Sequence, residues 1–196
     1  ALFNVPKKND LGGMKAKYEN WMYLLASNGI LLYGIVMLGW PIFPLVYLWW
    51  WEGLLSTAVN IFISKRLGIK EARWGQLFPY FVYWVFVIVF LGILASNSDQ
   101  IIDNLGLVMF KDKLFNLCLL LLILHLGFRI IKGNLPGAEV FLLQIRLHVG
   151  IVLGGLAMFV SKHFEVDNVI PVALTVLAVK VFLDIWSMLG STTEAE

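Results

Sequence analysis

Glu52, Arg146, Lys180 and Asp184 are ionisable side chains set well inside stretches so apolar that those stretches read as membrane spans, and their charges sum to zero. A lone charge at mid-bilayer costs roughly 2.5 to 3.5 kcal/mol, so four of them demand partners. Two kinds of chemistry are open to such a group. One is an internal clasp, neutral overall, that specifies helix order. The other is a site for a proton, an ion or a small polar substrate, the default meaning of ionisable residues inside a membrane. The sequence shows no paired half-sequences and no interrupted span of the transporter kind, so the clasp is the expectation.

Counting about 1.5 Å per residue from the cytoplasmic end places Asp184 about 8 Å deep, Arg146 about 11 Å, His148 and Lys180 about 14 Å, and Glu52 about 18 Å. These five form the predicted polar cluster. Arg146 is expected to reach Asp184 across a helix interface, leaving Lys180 for Glu52, while the four-residue spacing of Lys180 and Asp184 also permits a pair within one helix. Together Lys180 and Asp184 cost roughly 5 to 7 kcal/mol at a helix centre, against roughly 4 to 7 kcal/mol returned by the apolar residues around them. That span is marginal without neighbours.

Asn28, Ser56, Asn60 and Gln144 add hydrogen-bonding capacity, and the spacing of Glu52, Ser56 and Asn60 makes one polar stripe on one helix face. Gly150 and Gly154 follow Arg146 at intervals of four, with Gly155 on the adjoining face beside Gln144 and His148. This small-residue pattern lets a second helix pack closely. His125 and His148 stand on successive spans and could be haem ligands from facing helices; a histidine satisfied within a bundle is the commoner outcome, and no cofactor is expected. No His-Glu-x-x-His metal motif, glycine-rich phosphate loop or Gly-x-Ser-x-Gly elbow occurs, and Cys118 is the single cysteine. An enzyme is the least supported class.

The elements that must position these residues follow from composition. At 60% hydrophobic and a mean hydropathy of +0.82, the chain lies outside the soluble globular range and reads as an integral membrane protein. Its net charge of +2 forms no basic stripe, which excludes nucleic acid as a partner. Six stretches are long and apolar enough to cross about 30 Å of hydrocarbon: 21–38, 44–64, 77–95, 114–131, 139–160 and 169–189. Pro44, Pro79 and Pro171 fall in first turns, where a missing N–H costs nothing. The predicted fold is all-α, a six-helix transmembrane bundle forming a single domain over 20–190. A basic segment precedes it over 1–19, and a short tail follows over 191–196.

Lysines and arginines set the orientation. Ten lie in the N-terminal segment and in the loops after the second and fourth spans, against Lys111, Lys113 and Lys162 on the other side, which places both termini in the cytoplasm. The N-terminal segment lacks the apolar core of a signal peptide, so the first span is expected to be an uncleaved anchor, and the absence of an initiator methionine suggests a trimmed start. The short link at 39–43 predicts that the first two spans are antiparallel neighbours. Ile101, Ile102, Leu105 and Met109 have helical spacing with Asp99 and Asp103 on another face, so this loop is expected either to lie flat on the outer surface as an amphipathic helix or to be a plain loop. Trp40, Tyr47, Trp49, Trp50 and Trp51 outside, with Tyr18, Trp21, Tyr23, Trp74 and Tyr80 inside, read as interfacial belts.

Two blocks resemble an uncharacterised family of small bacterial and archaeal polytopic membrane proteins, a domain of unknown function. The first runs from Asn28-Gly-Ile-Leu-Leu-Tyr-Gly through Gly39-Trp40 and Tyr47-Leu-Trp-Trp-Trp-Glu52 to Asn60; the second joins His148-Val-Gly-Ile-Val-Leu-Gly154-Gly155 to Lys180-Val-Phe-Leu-Asp184. Gly53 stands where that family carries asparagine. The resemblance implies a recurring arrangement of Glu52, His148, Lys180 and Asp184, and implies no substrate.

The expectation is therefore a multi-pass protein of a prokaryotic cytoplasmic membrane, without catalytic function, acting as an accessory or assembly subunit. Its partners are the lipid bilayer and other integral membrane subunits. The alternative is a proton- or ion-coupled carrier of a small solute in which Glu52 and Asp184 titrate.

Overall fold

The computed structural model describes residues 8–66, 74–94, 96, 98–131, 139–163 and 170–193, and every element among them is helical. Helix α1 spans Lys8–Leu38 and α2 Ile42–Arg66. A third segment combines a 3₁₀ turn, Trp74–Leu77, helix α3, Phe78–Phe86, and a π-helical stretch, Val87–Leu94. Helices α4, Ser98–Val108, α5, Lys113–Ile131, α6, Glu139–His163, and α7, Ile170–Thr193, complete the chain. Among the described residues, three stretches are long and apolar enough to cross a membrane, Trp21–Leu38, Ile42–Arg66 and Trp74–Leu94, and Leu147–Ala157 is a shorter apolar run within α6. The segment read as a basic tail is already helical from Lys8, so α1 is longer than its apolar part.

Helix α2 is the hub. The third segment, α5, α6 and α7 all pack against it, and α1 closes the outside by packing on α5 and α7. Each residue from Ile42 to Trp50 is buried, whichever way it points. A helix that is apolar all round can be covered on every side, and this one is.

Two expectations are corrected by that arrangement. The first two spans are not neighbours along their length: after the tight turn α1 leans onto α5 and α7, because α2 is already surrounded. The turn itself is built as its residues dictate. Gly39 takes φ +66°, the left-handed conformation that ends a helix, and the Trp40 N–H returns to the Gly34 carbonyl at 3.0 Å. The Trp40 ring folds over Gly34, where a Cβ would stand 2.6 Å from it.

Second, the outer aromatics are not an interfacial belt. Trp40, Tyr47, Trp49 and Trp50 are core residues. Tyr47 stacks on Phe43, Trp50 and Phe115 with centroids 5.5 to 5.7 Å apart. Tyr80 of the opposite group is buried too, while Tyr18 and Trp74 are exposed as a belt requires. A tryptophan on the hub faces protein at any height in the bundle.

The loop after the third segment is helical, as its spacing allows, and the side that turns inward carries a polar residue together with an apolar one, while Asp103 stays exposed. Asn104 and Leu107 are buried, whereas Ile102, Leu105 and Met109 are exposed. The Asn104 amide donates to the Gly92 carbonyl at 3.1 Å and to Ser96 Oγ at 2.9 Å, and Ser96 in turn donates to the Leu91 carbonyl at 2.9 Å. These bonds satisfy carbonyls at the end of the π-helical stretch, which otherwise lack partners. Helix α4 then ends in a Schellman motif: Lys111 N–H bonds to Gly106 C=O and Phe110 N–H to Leu107 C=O, both at 2.9 Å, with Phe110 in the left-handed position at φ 58°. Asp112 caps α5 directly afterwards, accepting the Phe115 N–H at 2.7 Å.

Candidate functional site

Lys180 is the centre of the site. Its ammonium lies 2.6 Å from Asp184 Oδ2, one turn along α7, and 3.5 Å from Glu52 Oε2 on α2. Both expected links of Lys180, the within-helix pair and the bridge to Glu52, are thus present. All three side chains are shielded: 6% exposed for Lys180, 11% for Asp184 and 18% for Glu52. The lysine also lies over the Trp49 ring, 5.9 Å from its centroid, a cation–π contact that strengthens as water is excluded.

The geometry follows from the hub. Glu52 lies at the inner edge of the fully buried run of α2, next to Trp49 and Trp50, so its carboxylate must be met by protein rather than by water. Helix α7 supplies the cation. The shorter contact is charge-assisted and well inside hydrogen-bond range, while 3.5 Å to Glu52 is at its limit, so the lysine is held by Asp184 and shared with Glu52. Arg146 and Gln144 are on α6, which packs on both α2 and α7, but their side chains lie outside the described residues.

His148 does not join this group. It is exposed on α6, and its Nδ1 is 3.2 Å from the Tyr83 hydroxyl of the third segment. Depth alone placed it with the cluster; its angular position on α6 turns it away. His125 stacks on Tyr23 of α1 with centroids 3.7 Å apart and 9° between planes. The two imidazoles therefore address different helices rather than each other.

The supporting polar residues serve their own helices. Asn28 donates to the Leu24 carbonyl at 2.9 Å, and its buried Oδ1 has no hydrogen-bond partner among the described residues. Ser56 is buried below Glu52, and Asn60 accepts from Ser64 at 3.5 Å. The polar stripe exists, but only its first member reaches the charge group.

The glycines of α6 divide. A Cβ on Gly150 would enter the Trp49 ring, and one on Gly154 would stand 3.2 Å from Ile42 and 3.3 Å from Val46. These two let α6 close on α2. Gly155 has nothing within 4 Å of its Cβ position. The close-packing face expected to receive another protein is therefore occupied inside this chain.

A second polar knot escaped the sequence reading. Tyr80 is fully buried; its hydroxyl accepts from Thr57 at 2.9 Å and its carbonyl from Trp50 Nε1 at 2.7 Å. Gly53 makes room for it, since a Cβ there would approach Tyr80 Cε1 at 2.6 Å. A side chain at this position would collide with the tyrosine. The available signal was Thr57, a hydroxyl one turn from Gly53 in an apolar helix. No family model, curated protein or solved structure matches this chain.

Proposed function

We propose that the chain is a six-span protein of a prokaryotic cytoplasmic membrane with both ends inside, and that it acts without catalysis as an accessory or assembly subunit. The observation that carries this reading is Lys180 held between Asp184 and Glu52, which closes ionic groups inside the bundle and leaves them to fix helix order. The alternation of the contacts agrees with it: α6 meets α2 head to tail, with Gly150 at Trp49 and Gly154 at Ile42 and Val46. The positive loops lie at one end of such an arrangement. An apolar perimeter that includes Phe81, Phe159, Phe182 and Trp186 supplies surface for lipid and for neighbouring subunits. The glycine face gives no support to partner binding, because α2 already fills it.

The carrier reading is favoured by one feature. A single ammonium in reach of two carboxylates has two alternative partners, an arrangement a titrating site uses. Replacing Glu52 by Gln separates the readings. Purification in mild detergent followed by mass spectrometry is expected to yield the same stoichiometric companion for wild type and Glu52→Gln. Loss of pH-dependent solute flux from vesicles reconstituted with the variant, in the absence of any companion, would instead establish the carrier.

A further inference from the structure

Between the α1–α2 turn and α4 lies an open cavity of about 700 Å³ whose lining includes Trp40, Pro41, Asp103, Leu105, Lys111 and Asp112. That is within the roughly 300 to 1,000 Å³ of ordinary small-molecule sites. Its charged residues carry both signs. The side chains of Asp103 and Lys111 are exposed and have no ion-pair partner among the described residues. Their frame is fixed on every side. Lys111 and Asp112 occupy the Schellman and N-cap positions of the α4–α5 corner, which the Asn116 amide ties to the Phe110 carbonyl at 2.6 Å. Asn104 pins α4 to the third segment. Ile102 and Met109, which also line the cavity, are exposed apolar residues on an otherwise anchored helix.

We propose that this cavity receives the headgroup of a phospholipid bearing a primary ammonium, of the phosphatidylethanolamine type. Lys111 attracts the phosphate, and the carboxylates of Asp103 and Asp112 attract the ammonium. A purely anionic headgroup meets two acids and one base, an unfavourable balance. A quaternary ammonium brings the right charge but no N–H to donate to a carboxylate. The apolar residues around the mouth then cover the first methylenes of the acyl chains, which explains why they remain exposed in the isolated chain. This inference rests on the reading of the chain as membrane-embedded, with α4 at the outer boundary of the bilayer.

The test uses the purified full chain in mild detergent. Phosphatidylethanolamine, phosphatidylcholine and phosphatidylglycerol of matched acyl chains are offered at equal concentration, and retained lipid is read by native mass spectrometry. Phosphatidylethanolamine is expected to be retained about tenfold over the other two, the worth of one charge-assisted hydrogen bond; this preference is expected to vanish in Asp103→Asn, whereas Lys111→Gln, which removes the partner of the phosphate, is expected to lower retention of phosphatidylethanolamine itself. Both positions are on the surface, so folding is preserved, and circular dichroism verifies it. Equal retention of the three lipids, preference for phosphatidylglycerol, a preference that survives Asp103→Asn, or undiminished phosphatidylethanolamine retention in Lys111→Gln overturns the proposal. Thermal stabilisation by calcium without lipid, abolished by Asp103→Asn, assigns the acids to a cation and overturns it as well. Alkaline carbonate extraction tests the embedding separately: release of the chain ends the membrane reading, whereas a chain that stays in the pellet without lipid preference ends the headgroup proposal alone.

Discussion

Truncating Lys180 takes from two shielded carboxylates the ammonium that both contact, and removing one partner of a buried pair costs more than the intact pair contributes. Lys180→Met is therefore expected to lower unfolding free energy by about 3 to 5 kcal/mol, measured by reversible unfolding in mixed micelles. The acids should rank by their contacts. Asp184, at 2.6 Å and better shielded, loses more on conversion to Asn than Glu52, at 3.5 Å, loses on conversion to Gln. The reverse order would mean that Glu52 is the main anchor. At this scale, the charge group was legible because ionic residues are rare in apolar spans and the four-residue spacing of Lys180 and Asp184 is visible directly. His148 was misplaced because a count along the axis gives depth but not direction.

Helices meet where side chains allow it, and α6 offers a controlled comparison within two turns. Gly150→Ala drives a methyl group into the Trp49 indole and is expected to cost about 1 to 3 kcal/mol. Gly155→Ala meets open space and is expected to be neutral or to gain up to about 1 kcal/mol from helix propensity. Thermal unfolding of the two variants in one detergent checks the difference in sign. Apart from the start of α1, which lies at Lys8 rather than near Trp21, the segment boundaries were readable to within a few residues from apolar runs and first-turn prolines. Which helix would be enclosed was not, because α2 is enclosed although the third segment is the more apolar of the two, and burial is a property of the assembled ring. The π-helical stretch was invisible for a related reason: its stabilising partner, Asn104, comes from a different helix. The glycine spacing correctly suggested close packing, but spacing alone does not say whether the partner is internal.

Across the whole molecule, orientation is the most direct quantity to measure. In a Cys118→Ser background, Met109→Cys and Arg66→Cys place a single thiol at exposed positions of the α4 end and the α2 end respectively. A membrane-impermeant maleimide added to intact cells is expected to label position 109 and to spare position 66 until the membrane is opened. Labelling of position 66 in intact cells would invert the arrangement. That experiment reads the charge bias of the loops, the one global property a linear sequence displays without any knowledge of packing.

The enclosure of α2 has a consequence for synthesis. Ribosomes make this helix before α7, so Glu52 emerges with more than a hundred residues still to be made before Lys180 arrives. Until then the acid lacks its lysine, and the aromatic faces of α2 that α5 and α6 will cover stay bare. The early-made helices must hold the nascent chain through this interval, and the arrival of α7 acts as the latch of assembly.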